Sequence, residues 1–238
     1  MHLKTRDRQD EWMDEPDIDS TLHADALRGL SRVNRLSGAV RSIWNPIAEV
    51  ARKRTGGPIR VLDVASGGGD VAIGIKQLAD RKGLAMDVVG CDISQTAVEF
   101  AGENAKRRNA DVTFVQQDVL GQNLPSDFDV VYSSLFLHHL ESTDVVRLLG
   151  SMRAAARHRV VISDLLRSQL GYVLAKWGIR LLTTSKVCHV DGPLSVRAAL
   201  TMPEAIELAS QAGLTPVRIQ RRWPERFLMV YDIEATSQ

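Results

Sequence analysis

The chain has 238 residues, enough for one well-filled α/β domain with additions or for two small domains. Lys and Arg total 30 against 29 Asp and Glu, a net charge of +1, so no polyanion-binding field is expected and nucleic acid is disfavoured as a partner. The only cysteines, Cys91 and Cys188, form neither a disulfide framework nor a metal-spaced pair, and no uninterrupted apolar stretch reaches roughly 18 residues. The charged start lacks the apolar core of a signal peptide. The expectation is a cytoplasmic, reducing setting without a membrane span or a metal site.

Residues 1–20, charged and with Pro16, predict a flexible arm before a single domain over 21–238. Leu22, Ala26, Leu30 and Val33, then Val40, Ile43, Ile47, Val50 and Ala51, recur at helical spacing and predict two helices joined near Ser37-Gly38, a helical cap over 21–54. Gly56-Gly57-Pro58 ends that pattern. Short apolar runs then alternate with amphipathic ones. Strands are predicted at Ile59–Ala65, Met86–Asp92, Val112–Gln116, Phe128–Ser133 and Arg159–Asp164. Helices follow Ser66–Gly69 to about Arg81 and cover Ser94–Asn109 and Ser142–Ala156. Strands separated by helices imply a parallel sheet covered on both faces. Residues 165–200 interrupt the alternation with an apolar insertion carrying Tyr172 and Trp177, expected as a helical lid. After a helix at Met202–Ala212, the runs Leu214–Trp223 and Arg226–Tyr231 flank Pro224-Glu225 and predict an antiparallel hairpin.

The segment Val61–Asp70 runs from a strand through Ser66-Gly67-Gly68-Gly69 into a helix. Glycines let a backbone approach a ligand closely, and a new helix N-terminus offers unpaired N–H groups to it. Asp92 ends the second strand, where a carboxylate can accept both hydroxyls of a ribose. A nicotinamide cofactor and S-adenosylmethionine both meet this description.

Asp63, Gly67 and Gly69 resemble the first motif of class I S-adenosylmethionine-dependent methyltransferases, an acidic residue followed by alternating glycines. Ala65 stands where the first glycine usually lies, a variant common in the ubiquinone/menaquinone group. Gly90-Cys91-Asp92-Ile93 is similar to the ribose-binding motif, Gln117-Asp118-Val119 to the adenine-binding motif, and Phe128-Asp129-Val130-Val131 with Leu137-His138-His139-Leu140 to the fourth motif and the segment after it. The resemblance covers about 59–164. It implies a doubly wound Rossmann-like sheet of five parallel strands plus a C-terminal antiparallel hairpin. It also implies a site for S-adenosyl-L-methionine, leaving as S-adenosyl-L-homocysteine, made by Asp63, Ala65, Gly67, Gly69, Asp92, Ile93, Asp118, Val119 and Ser134. The usual Lys-Pro-Gly-Gly turn before the fifth strand is replaced by Arg157-His158-Arg159. His23 to Gly38 and Ser195–Ala199 resemble methyltransferases of phenolic lipids linked to type III polyketide synthases.

Methyl transfer from a sulfonium requires mainly alignment, and a phenolic acceptor also benefits from a base. His138, His139 and His189 are the candidate bases. Ser133-Ser134-Leu135-Phe136 stands where amino-group methylases carry an Asn-Pro-Pro-Tyr type tetrapeptide, which disfavours nucleic acid and protein amides as substrates. An apolar lid over 165–200 suits a small aromatic or lipid-like acceptor. A nicotinamide-dependent oxidoreductase, disfavoured by the lack of a Tyr-x-x-x-Lys pair, and a non-catalytic interaction module stay open as alternatives.

Overall fold

The computed structural model describes residues 3–15 and 18–233; Pro16 and the C-terminal five residues lie outside the described residues. Seven strands form one sheet: β1 (Ile59–Val64), β2 (Met86–Asp92), β3 (Val112–Gln116), β4 (Phe128–Ser134), β5 (Ala156–Leu165), β6 (Arg218–Arg222) and β7 (Arg226–Asp232). Their order across the sheet is β3-β2-β1-β4-β5-β7-β6. The first five are parallel; β7 runs antiparallel to β5, and β6 antiparallel to β7. The order reverses between β1 and β4, and ligands of open α/β sheets bind at the carboxyl ends of the strands beside such a switch.

Side-chain alternation along the strands separates two cores. Leu62, Val64, Val131, Val160, Ile162 and Phe227 face α5 (Ser142–Ala155) and α9 (Met202–Gln211). Val61, Val88, Val130, Tyr132, Val161 and Leu228 face α2 (Ala39–Lys53) and α3 (Asp70–Arg81). Cys91 is buried in the first core, as a small apolar residue would be. α1 (Ser20–Leu36) starts with the Asp19 carboxylate accepting from Thr21 and Leu22 N–H, and α4 (Gln95–Arg107) packs beside β3. The turn between α1 and α2 is Gly38, at φ +71°.

The segment expected as a flexible arm is, over its described part, fastened to the domain. Arg6 donates to the carbonyl oxygens of Ala198, Leu137, His138 and Leu140. Arg197 pairs with Asp7, and the Asp191 carboxylate accepts the N–H groups of Trp12 and Met13. Charge alone predicted solvation here; the partners are carbonyls and carboxylates far away in sequence, invisible to local composition.

The insertion is mostly helical: α6 (Gln169–Val173), one π turn (Leu174–Gly178), α7 (Ile179–Leu182) and, after the short link 183–185, α8 (Lys186–Ala198). Leu170, Val173, Trp177 and Leu181 are exposed along one face of it. β6 starts later than expected, because Gly213 turns at φ +77° and Pro216 lacks the N–H a ladder needs. No helix of the described residues is long and apolar enough to cross a membrane.

Candidate active site

The loop after β1 is shaped by left-handed backbone at Ala65 (φ +58°), Gly67 (+51°) and Gly69 (+73°). Gly69 is required twice over. A Cβ there would lie 2.5 Å from the Phe114 ring and 2.8 Å from Ala101 Cβ, and the dihedral is one that L residues rarely adopt. Gly67 is different: a Cβ would meet only Leu27 Cδ2 at 3.9 Å, so backbone conformation and an open approach distinguish it. Ala65 holds the same left-handed region without being glycine. The loop is tied down by Ser66 N–H donating to the Cys91 carbonyl at 2.9 Å and by Asn104 donating to the Gly68 carbonyl at 3.3 Å.

Asp92, at the end of β2, accepts from Gly67 N–H at 2.8 Å through Oδ2 and from Ser94 N–H at 3.0 Å through Oδ1. Each oxygen keeps a second lone pair, so the carboxylate can fix the glycine loop and still accept hydroxyls. Ile93 beside it is an exposed apolar side chain. Gln117 N–H donates to the Asp92 carbonyl at 2.8 Å, which brings the loop after β3 alongside. There Asp118 Oδ1 accepts from Leu120 and Gly121 N–H at 3.0 and 2.9 Å, a turn-forming role, while Val119 is buried in the core below.

Register places Asp63, Tyr132, Ser134, Ser163 and Arg226 on one face of the sheet at its carboxyl edge, the face covered by α2 and α3. Much of this polar row lacks a well-formed hydrogen bond, Asp63 and Tyr132 having chiefly each other. Asp63 Oδ2, Ser66 Oγ, the Tyr132 hydroxyl, Ser134 Oγ and both Nε and Nη1 of Arg226 are buried without a hydrogen bond of good geometry among the described residues. Burial pushes the Asp63 carboxyl well above the usual carboxylate range; the nearby Tyr132 hydroxyl opposes this, and Asp70 and Asp92 add to it. Tyr132 is likewise pushed up, by burial first and then by the charge of Asp63. Buried polar groups are almost always paired, so a cluster of orphans at the switch point marks a place where a ligand supplies partners.

The histidines divide by environment. His138 Nδ1 lies 2.6 Å from Asp164 Oδ1, and both side chains are almost fully buried. Asp164 also accepts from Phe136, Leu137 and Leu165 N–H at 3.1, 2.6 and 2.6 Å. Burial raises the Asp164 carboxyl, but the electrostatic interaction and hydrogen bond with His138, then the Leu165 N–H bond and the nearby His139, outweigh it, and its pKa falls below the ordinary value. His139 Nδ1 stands 3.9 Å from Glu11 Oε2, whose other oxygen accepts from Ser195 Oγ at 2.7 Å. Glu11, His138 and His139 thereby bring one ligand-type atom each within 4.8 Å of one another, a grouping that the sequence reading, with Glu11 placed in a flexible arm, did not reveal. His189 Nε2 lies 2.7 Å from the Thr183 carbonyl, a bond inside the insertion that commits this nitrogen to donating. Sequence reasoning also missed Tyr132, Asp164 and Arg226, since an isolated tyrosine, aspartate or arginine has no motif around it, and it passed over Ser66 although that residue opens the glycine loop.

Residues 61–159 match the family model described as Methyltransferase domain. Ribosomal protein L11 methyltransferase of Geobacter sulfurreducens is 32% identical over 130 residues, covering 54% of this chain and 40% of that protein. Release factor glutamine methyltransferase of Lactococcus lactis is 33% identical over 76 residues, or 32% of this chain and 26% of its own length. The chain thus spans less than half the length of these curated relatives. Among solved structures, human N-acetylserotonin methyltransferase superposes with a TM-score of 0.66 at 15% identity, over 91% of this chain and 57% of that one. The plantazolicin methyltransferase BpumL gives 0.65 at 17% identity, over 94% and 93%. The fold is the Rossmann-like fold of class I methyltransferases, a parallel sheet closed by an antiparallel hairpin. The stretch that matches the methyltransferase-domain model contains the glycine loop, Asp92, Asp118 and the His138 segment.

Proposed function

We propose that the protein transfers a methyl group from S-adenosylmethionine to a small acceptor carrying an aromatic or lipid-like body. One observation carries the first half of this reading. The orphaned polar atoms of Asp63, Ser66 and Ser134 surround a left-handed glycine loop inside the stretch that matches a methyltransferase domain. An amino-acid moiety with donors and acceptors of its own fits that set. Asp63 and Ala65–Gly69 would hold this end, Asp92 the ribose, and Ile93 with Asp118 and Val119 the base. When bound, S-adenosylmethionine supplies an electrophilic methyl on a sulfonium.

The chain's own work is then to bind, orient and move a proton. Asp92 fixes Gly67 N–H, so the loop is preformed before a ligand arrives. His138 is the candidate general base. Donation from its Nδ1 to Asp164 leaves Nε2 as the bare acceptor of a neutral imidazole, the tautomer a base needs. Three backbone N–H groups hold Asp164 in place, so the ring cannot swing away from that partner. The exposed row Leu170, Val173, Trp177 and Leu181 supplies apolar surface for an acceptor's body on the insertion. The sequence relatives named above carry names of protein methyltransferases. The small-acceptor reading rests on Ser133-Ser134-Leu135-Phe136 across the end of β4 in place of an Asn-Pro-Pro-Tyr type tetrapeptide.

Calorimetric titration of the protein with S-adenosylhomocysteine and, separately, with NADH tests the reading. Saturable one-site binding of the first and none of the second is expected; the reverse would make the protein an oxidoreductase. Labelled S-adenosylmethionine offered with simple phenols and with peptides then distinguishes the acceptor classes.

A further inference from the structure

The outer side of the insertion is apolar where contact with water alone would favour polar residues. Leu170, Val173, Trp177 and Leu181 follow one another in steps of three, four and four residues through α6, the π turn and α7, and all four are exposed. The inner side is already anchored. Gly171 and Ala175 are buried, and Ile179 packs against the small core of Ala26, Val187 and Cys188. Packing of the domain therefore leaves the outer row unused. Single exposed apolar side chains are ordinary, whereas a contiguous row of them marks an interaction surface.

Charge decides what kind of partner the row fits. Residues 165–190 contain no Asp or Glu, while Lys176, Arg180 and Lys186 are exposed on the same stretch. Among the described residues none of these three forms an ion pair. Other exposed arginines do: Arg147 pairs with Asp144, Arg157 with Asp127 and Arg218 with Asp232. Lys176 Nζ and Arg180 Cζ stand 5.6 and 5.7 Å from the Trp177 ring centroid, so the cations border the apolar row. An aromatic ring flanked by long basic side chains suits a water–lipid boundary, where the apolar parts enter and the charged heads stay at the polar layer. A second copy of the chain fits poorly. Two-fold pairing would set this face against itself, with Lys176 and Arg180 opposing their own kind and no carboxylate on the stretch to pair with them.

We propose that the outer side of the insertion docks on an anionic lipid bilayer, with Leu170, Val173, Trp177 and Leu181 in the acyl boundary and Lys176 and Arg180 at the headgroups. Because no helix of the described residues is long and apolar enough to cross a membrane, the contact is a peripheral one. The insertion leaves the sheet at Leu165, the carboxyl end of β5, and so belongs to the end of the sheet that carries the glycine loop. Docking deepens the acceptor reading above and, in this respect, rests on it: a lipid-like acceptor would be taken from the bilayer in which its body dissolves. Attachment to the bilayer itself requires neither acceptor nor cofactor.

The test floats the full chain on a density gradient with vesicles of phosphatidylcholine alone or mixed with phosphatidylglycerol, each variant first checked for the wild-type thermal transition. The wild type should float with the mixed vesicles and more weakly with the neutral ones, and added salt should narrow the gap. Leu181, at 88% exposure, can be changed with little disturbance to the fold. Leu181→Ala should lower the partition coefficient by about tenfold on both compositions, as the loss of one large apolar side chain does. Lys176→Gln should lower it by about fivefold on the mixed vesicles and leave the neutral ones unchanged. No flotation of the wild type with mixed vesicles overturns the proposal, and so does equal flotation with both compositions or flotation that Leu181→Ala leaves unchanged. A lipid-free dimer, seen by light scattering and dissolved by Leu181→Ala, would assign the row to a second copy and also overturn it. The two readings fail separately: a chain that binds no S-adenosylhomocysteine yet floats loses the methyltransferase reading, and one that binds it without floating loses only the docking surface.

Discussion

The two halves of the sheet's carboxyl edge are built by different means. On the β1–β2 side the site is mostly main chain: a loop in left-handed conformation, pinned by one carboxylate, Asp92, through Gly67 N–H. On the β4–β5–β7 side it is mostly side chain: the His138–Asp164 pair, Ser134 and Arg226, with the N-terminal segment fastened across the 137–140 turn by Arg6. A main-chain site demands particular residues at fixed spacing, because only certain residues tolerate the dihedrals. A side-chain site can be assembled from distant positions. The first half suits an invariant ligand, the second a variable one.

The sharpest way to break this division is His138→Gln, which keeps size and hydrogen bonding but removes the basic nitrogen. With a phenolic acceptor, kcat should fall by about 10²-fold or more while S-adenosylhomocysteine affinity in calorimetry stays unchanged. Retention of more than about a third of kcat, well short of that loss, would return His138 to the role of loop anchor. Next in size is Asp92→Ala. Loss of paired charge-assisted bonds should weaken cofactor binding by about 2–4 kcal/mol, with acceptor KM nearly unaffected. An equal loss in both would mean the halves are one unit.

The Asp164 carboxyl gives a pH dependence. Its folded pKa is depressed, so its contribution to stability is fully present above the ordinary carboxylate range and lost as pH falls through the lower folded value. Thermal melts of wild type and Asp164→Asn should therefore differ at pH 7, and the difference should shrink as pH falls below the ordinary carboxylate range. A difference that persists unchanged in acid would contradict an ionised Asp164. The smallest effect concerns Trp177, exposed at 61%. Trp177→Ala should alter stability by less than about 0.5 kcal/mol, as surface changes do, yet raise acceptor KM. Unchanged KM would remove the insertion's apolar row from the acceptor site.

The contrast between the halves also explains what could be read from the sequence. The alternation of apolar runs located β2 and β3 to the residue, and Asp63, Gly67, Gly69 and Asp92 were visible because dihedral and spacing requirements leave a local signature. Asp118 was visible too, although the bonds it makes are those of a turn. The other half left little trace. Arg226 meets Asn34 across 192 positions, and Arg6 reaches Leu140 across 134, distances at which composition carries no information. The arm was misjudged for that reason: Arg6 and Asp7 look like solvated charge until their partners are in place. The apolar insertion was recognised as helical, but only the structure shows Leu170, Val173, Trp177 and Leu181 turned outward together.

The central claim is that the Asp63–Gly69 loop and Asp92 hold S-adenosylmethionine. A crystal structure of the protein with S-adenosylhomocysteine tests it most directly. The account predicts the ribose hydroxyls on the Asp92 carboxylate, the base against Ile93, and the amino-acid end over the orphaned atoms of Asp63, Ser66 and Ser134. Ligand density elsewhere on the molecule, with Asp92 bonded only to Gly67 and Ser94 N–H, would contradict it.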